Sequence, residues 1–484
     1  MDRSFALSAK YLFPVSSPPI EGGIVTIEDG RITAVGDNQS GKPPIDLGNV
    51  AIVPGFVNAH THLEFSELTS PLGRPKMVFP DWIREVINYR RTRRRQAAIE
   101  DDEDSSASEQ SSSPVALGLT ESLAGGTTLI GEITTPGWLP EEFCSSSGDQ
   151  SASSSTFSTL PSGGSDAVAA GEGSEKSGLT PDSPSPLVPR DPPGGRVNSE
   201  VCGRPAGTVF LELLGLSPDR TESLTGLARE HLAMSAKFKE ESGWTSGISP
   251  HAPYSLRPAL VEAAAKMSVE FSAHVAMHLA ETIEELELLT SHCGPFVELL
   301  EDLELWDPTA IPRGIRPLDY LKILAAAQRA LIIHGNFLDN EEDQFLAEHA
   351  ERMSLVYCPR THAYFQAGDY PLAQRLATGI HIAIGTDSRA SNPDLSMLNE
   401  LRFTVNSHSD VSPADVLRLG TLAGATALGK ADSHGSIESG KQADLAIVAL
   451  PTHSAGDPHE LLFDSKESVT AVYVNGVRVV TPTL

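Results

Sequence analysis

Short apolar runs recur along the chain, and the stretches between them fall in helical register. Eight such runs stand out: Ala51–His60, Thr127–Ile133, Thr208–Leu213, Gly247–His251, Val275–His278, Ala330–His334, Leu355–Cys358 and Ile380–Asp387. Buried strands spaced by helices imply βα units around a parallel sheet. Eight of them predict an α/β fold, a closed (β/α)8 TIM-like barrel, whose chemistry gathers at the C-terminal ends of the strands. The two chain ends have a different rhythm. Gly23–Glu28 and Arg31–Gly36 flank an Asp29-Gly30 turn, and Val469–Val474 and Val477–Val480 flank Asn475-Gly476. Such dipeptides between β-branched runs are hairpin signals. They predict a small β-sandwich domain built from both ends, although no feature of the sequence requires the ends to meet. The expected division is residues 1–50 and 431–484 for that domain and 51–430 for the barrel.

Two segments break the barrel rhythm. Glu100–Ser113 is acidic and serine-rich, and about 143–205 is rich in Ser, Gly and Pro with few large apolar residues. The longer one is expected to be a disordered insertion between the second and third barrel strands, because it cannot bury enough surface to offset ordering. The basic run Arg90–Arg95 before the first segment reads as charge solvating a helix end. The net charge of −28 argues against nucleic acid or an anionic membrane as partner. No apolar run approaches the ~18 residues of a membrane span. The N-terminus lacks a charged n-region followed by a long apolar run, so no signal peptide is expected. The four cysteines lie far apart and show no Cys-x-x-Cys, which suggests neither a zinc knuckle nor a disulfide framework. A cytoplasmic protein acting on a small molecule is the expectation, with a homo-oligomer left open.

The chemistry centres on Pro54-Gly55-Phe56-Val57-Asn58-Ala59-His60-Thr61-His62. Residues i and i+2 of a strand share a face, so His60 and His62 can aim at one point. His251, His278, His334 and Asp387 also fall at strand ends. Three imidazoles (His60, His62, His278) and the Asp387 carboxylate suit zinc or ferrous iron. Glu281, three residues after His278, can turn back as a proton carrier; alone it would read as an acid favoured at a helix N-terminus. Asp387 alone could cap a helix, and His334 or His251 alone could be packing residues. His251 is assigned as a substrate contact. No lysine ends the third or fourth strand, which favours one ion over two.

Six motifs jointly resemble the amidohydrolase superfamily: the His60-Thr61-His62 stretch, Ser249-Pro250-His251-Ala252-Pro253-Tyr254, His278-Leu279-Ala280-Glu281-Thr282, Ile333-His334-Gly335, Tyr357-Cys358-Pro359-Arg360 and Gly385-Thr386-Asp387-Ser388. Gly440-Lys441-Gln442-Ala443-Asp444-Leu445 resembles the return to that family's β domain. The likeness is to its deaminase-like branch, which includes cytosine, methylthioadenosine, S-adenosylhomocysteine and aminodeoxyfutalosine deaminases and the chlorotriazine hydrolases. It implies that His60, His62, His278 and Asp387 bind one divalent metal ion, zinc first and iron second, and that Glu281 and His334 handle protons. It further implies attack of a metal-bound hydroxide on an amidine-like ring carbon, with Glu281 protonating the ring nitrogen, His334 steadying the intermediate and Asp387 passing a proton to ammonia. Glu64-Phe65-Ser66 and Phe79-Pro80-Asp81-Trp82 are similar to the aminodeoxyfutalosine side of the branch. Thr361-His362 departs from the Ser-Asn common at that position, which puts the substrate pocket in question. Hydrolysis of another C–N or a C–halogen bond, and a scaffold without catalysis, are the competing readings.

Overall fold

The computed structural model describes residues 4–36, 41–102, 113–143, 203–453, 455–464 and 466–479, without the side chains of 94 and 96–102. The acidic serine-rich stretch at 103–112 and nearly all of the Ser/Gly/Pro-rich insertion, with Cys144 and Cys202, lie outside the described residues. Cys293 is exposed and Cys358 buried, and both are free.

Eight parallel strands pair in chain order: Phe56–Thr61, Thr127–Thr134, Ala206–Leu213, Trp244–Pro250, Val275–Leu279, Ala330–His334, Met353–Tyr357 and Ile382–Ile384. A bridge between Thr61 and Asp387 brings the last strand to the first. The predicted barrel is therefore observed. Alternation sorts its side chains into two layers. Val57, Leu129, Phe210, Ala276, Leu331 and Ile333 form the apolar cluster inside. Their neighbours Ile248, Val275, Met277, Ile332 and Leu355 pack outward among the helices.

The first and last strands are joined by more than backbone. Asn58 Nδ2 donates to Thr386 Oγ1 at 2.7 Å, and Thr386 N donates to Asn58 Oδ1 at 3.0 Å. Thr61 Oγ1 donates to the Asp387 carbonyl at 2.7 Å, and Asp387 N to the His60 carbonyl at 3.1 Å. Gly385 permits this approach, since a Cβ there would stand 2.8 Å from the His60 carbonyl oxygen. Replacing Asn58 with Ala strands a buried amide N–H. Urea unfolding should then show a loss of about 1–3 kcal/mol, and an unchanged midpoint would show that the seam does not depend on this side chain.

The run read as one strand over Ala51–His60 is in fact two. Val50–Pro54 pairs antiparallel with Leu445–Ala449 in a six-stranded sheet, and the barrel strand begins only at Phe56. Gly55 is the joint, and its amide donates to the Asp444 carbonyl at 2.8 Å. Both chain ends therefore do meet. Asp29 and Gly30 (φ 47° and 80°) and Asn475 and Gly476 (φ 49° and 72°) both have the positive φ pair of a type I′ turn. The two turns converge on Ala443, whose N–H donates to the Gly30 carbonyl and whose carbonyl accepts from Gly476 N, each at 2.9 Å. A core of Leu7, Val25, Ile27, Ile52, Leu445 and Ile447 fills the space beneath them. No helix among the described residues is long and apolar enough to cross a membrane.

Candidate active site

Strict alternation would aim His60 away from the barrel interior, because Val57 and Ala59 already face inward. Pairing with the second strand slips by one residue between Asn58 and Thr61. A bulge of this kind re-aims side chains, and here it turns His60 and His62 toward the axis. His334 has the same problem and a different solution. Leu331 and Ile333 face inward, and a φ of 67° at His334 swings its ring back to the centre. Asp387 has φ 55° and Ala280 φ 51°. Left-handed backbone at non-glycine residues costs of order 1–3 kcal/mol each and tends to collect at functional sites.

The result is a buried knot of polar side chains. His62 Nε2 lies 3.4 Å from His278 Nε2. Asp387 Oδ1 stands 3.6 Å from His60 Nε2 and 3.9 Å from His62 Nε2. His60, His62 and Asp387 offer ligand atoms all within 4.8 Å of one another, as do His60, His278 and His334. His278 Nδ1 pairs with the His251 carbonyl at 3.1 Å; as donor there, it leaves the Nε2 lone pair facing inward. Ser391 Oγ donates to Asp387 Oδ2 at 2.9 Å, which leaves Oδ1 for the imidazoles.

These residues fit a divalent cation on their own chemistry. Neither ring nitrogen of the fully buried His60 has a hydrogen-bond partner, nor has His62 Nδ1. Unpartnered buried polar atoms are costly, and a cation among them would satisfy the lone pairs. Burial, reinforced by the His251 charge, lowers the His60 pKa to about 3. Burial likewise holds His62 and His278 well below the usual imidazole range. Neutral imidazole is the form that ligates.

Glu281 stands beside this knot, its Oε1 3.4 Å from His334 Nε2. It lies just before Thr282, which caps helix Ile283–Ser291. Ala280 N and Glu281 N donate to the carboxylate of buried Glu285 at 2.8 and 3.2 Å and so fix the turn. Burial raises the Glu281 carboxyl well above its ordinary value, and the negative charges of Asp387 and Glu285 add to this. Asp387 caps none of the described helices; Met397–Ser407, the next one, starts from Ser396.

A cavity of about 300 Å³ opens over the knot. Phe65, Trp82 and Val86 wall one side and Leu299 and Leu303 another. His251 lines it and pairs through Nδ1 with Ser255 Oγ at 2.8 Å. Thr361 and His362 do not. Thr361 Oγ1 meets Ser391 Oγ at 2.9 Å, and the His362 ring packs on Tyr357 and Tyr370. The departure noted in the sequence thus lies behind the site.

Two cavity residues escaped the sequence reading. The basic run does not solvate a helix end; the helix continues through it, over Phe79–Asp102. Ile83, Val86, Ile87 and Arg90 then share one face. Arg90 reaches Glu64 at 2.5 Å and lies 3.8 Å from Glu212 Oε2. Glu212 belongs to the end of the third strand, where the rule that selected the histidines would have found it.

A barrel whose strand ends bring three or four imidazoles and a carboxylate together defines a hydrolase-type metal barrel. A profile of the amidohydrolase family matches residues 51–138 and 200–479, and the chain belongs to that family. It is 26% identical over 485 residues to a 5-methylthioadenosine/S-adenosylhomocysteine deaminase of Moorella thermoacetica, covering 96% of this chain and 91% of the relative. Among solved structures, Helicobacter pylori aminofutalosine deaminase with methylthio-coformycin superposes with a TM-score of 0.71 at 19% identity, covering 98% of this chain and all of that one. Atrazine chlorohydrolase of Arthrobacter aurescens complexed with zinc gives 0.68 at 16%, over 98% and 95%. The structural likenesses establish the fold.

Proposed function

We propose that the protein is a metal-dependent aminohydrolase that removes an amino group, as ammonia, from a purine-like or other nitrogen heterocycle. The observation that carries this is the Glu281–His334 pair at 3.4 Å beside a buried histidine–carboxylate knot, on the floor of a largely apolar cavity. The deaminase named above, alike over nearly the whole chain, supports the same reading.

His60, His62, His278 and Asp387 would hold one divalent ion, zinc first and iron second. Bound there, such an ion supplies water acidified toward neutral pH. The other steps belong to the chain. The apolar walls receive the heterocycle and exclude bulk water. The raised carboxyl of Glu281 keeps its proton and delivers it to the ring nitrogen beside the reacting carbon. His334, 3.4 Å away, steadies the developing charge. Asp387, held by Ser391, relays a proton to the departing amine.

The test is a panel of adenosine-type, pyrimidine-type and chlorotriazine substrates with the zinc-loaded protein. Ammonia release from an aminated heterocycle is expected. Chloride release alone would favour the other reading, suggested by the likeness to atrazine chlorohydrolase. No turnover on any member would leave the scaffold reading.

A further inference from the structure

Glu212 is 1% exposed, lines the cavity, and has no hydrogen-bond partner on either carboxylate oxygen. Its nearest cationic neighbours stand just beyond bonding distance: Arg90 at 3.8 Å, and His251 Nε2 at 3.7 Å if protonated. Arg90 also lines the cavity. Its terminal nitrogen is taken by Glu64 at 2.5 Å, and its Nε has no partner. An orphaned acceptor and an orphaned donor therefore lie together in one wall, and nothing in the proposed chemistry uses either.

Burial raises the Glu212 carboxyl, and the Arg90 charge opposes this. Groups in this position are stabilised by a ligand that completes their hydrogen bonds. An anionic group cannot donate to Glu212. An ammonium cannot accept from Arg90, and it would sit against a guanidinium. A hydroxyl does both. The distance from the reacting centre is also set. The His251 ring lies 5.0 Å from the His278 ring, centre to centre, with Glu212 on its other side.

We propose that Glu212 and Arg90 form a hydroxyl-binding subsite one imidazole away from the metal knot, so that the substrate is a heterocycle bearing a sugar-like diol, not a bare base. This rests on the aminohydrolase reading and deepens it. Glu212 accepts from the hydroxyls, Arg90 donates to one of their oxygens, and Glu64 holds Arg90 in place.

Purine riboside and its 2′,3′-dideoxy analogue have no amino group to lose, so calorimetry on the zinc-loaded protein reads their binding without turnover. The riboside is expected to bind about 10- to 100-fold more tightly. In Glu212→Gln, which keeps the side chain's shape, the gap should shrink to within about threefold. Equal binding by the wild type, or a gap that survives in Glu212→Gln, overturns the subsite and leaves the aminohydrolase reading standing. If neither analogue binds and adenosine releases no ammonia, a purine-like substrate falls, and the subsite with it.

Discussion

Glu281→Gln is expected to lower kcat by about 10²–10⁴-fold, the range a positioned general acid contributes. The metal content and thermal midpoint should stay at wild-type values. Glutamine fills the same space and can still meet His334, but it cannot carry the proton. The turn that presents the side chain is held through backbone N–H groups donating to Glu285, so the substitution leaves its support untouched. Steady-state kinetics with metal analysis on one preparation decides the matter. Full turnover with full metal content would remove Glu281 from the chemistry, and a parallel loss of metal would make it part of the ion's support.

Stripping the protein of divalent ions with a chelator should abolish turnover and lower the thermal midpoint by several degrees. An ion present at about 1,000 times its dissociation constant stabilises the folded chain by about 4 kcal/mol. The loss should be marked here, because His60 buries two unpartnered ring nitrogens once the ion is gone. Adding zinc back should restore both quantities, and adding ferrous iron under anaerobic conditions tests the second candidate. Turnover that persists after removal of all metal would overturn the assignment of His60, His62, His278 and Asp387.

Much of this was legible in residue order because barrel strands are short, apolar and punctuated by polar side chains at one end only. His60, His62, His251, His278, His334 and Asp387 stood out for that reason, and the structure brings them to one mouth. The means of convergence were not legible. A one-residue slip after Asn58 and a left-handed φ at His334 depend on pairing and closure, which leave no local mark. The division at Gly55 had a signal in Pro54-Gly55, but apolar residues on both sides hid it. Arg90 was misread because a run of like charges looks solvated until the helix face carrying Ile83 and Val86 is known to be buried.

The Asn58–Thr386 contact joins residues 328 positions apart, and the terminal sheet pairs Val50–Pro54 with Leu445–Ala449. A ribosome adding about 5–20 residues per second delivers the second partner of each pair tens of seconds after the first. During that interval the nascent amino-terminal strands wait with open edges. Ribosome-associated chaperones would find them there, and a transcript cut short before the final hairpin would yield a chain unable to fasten its own beginning.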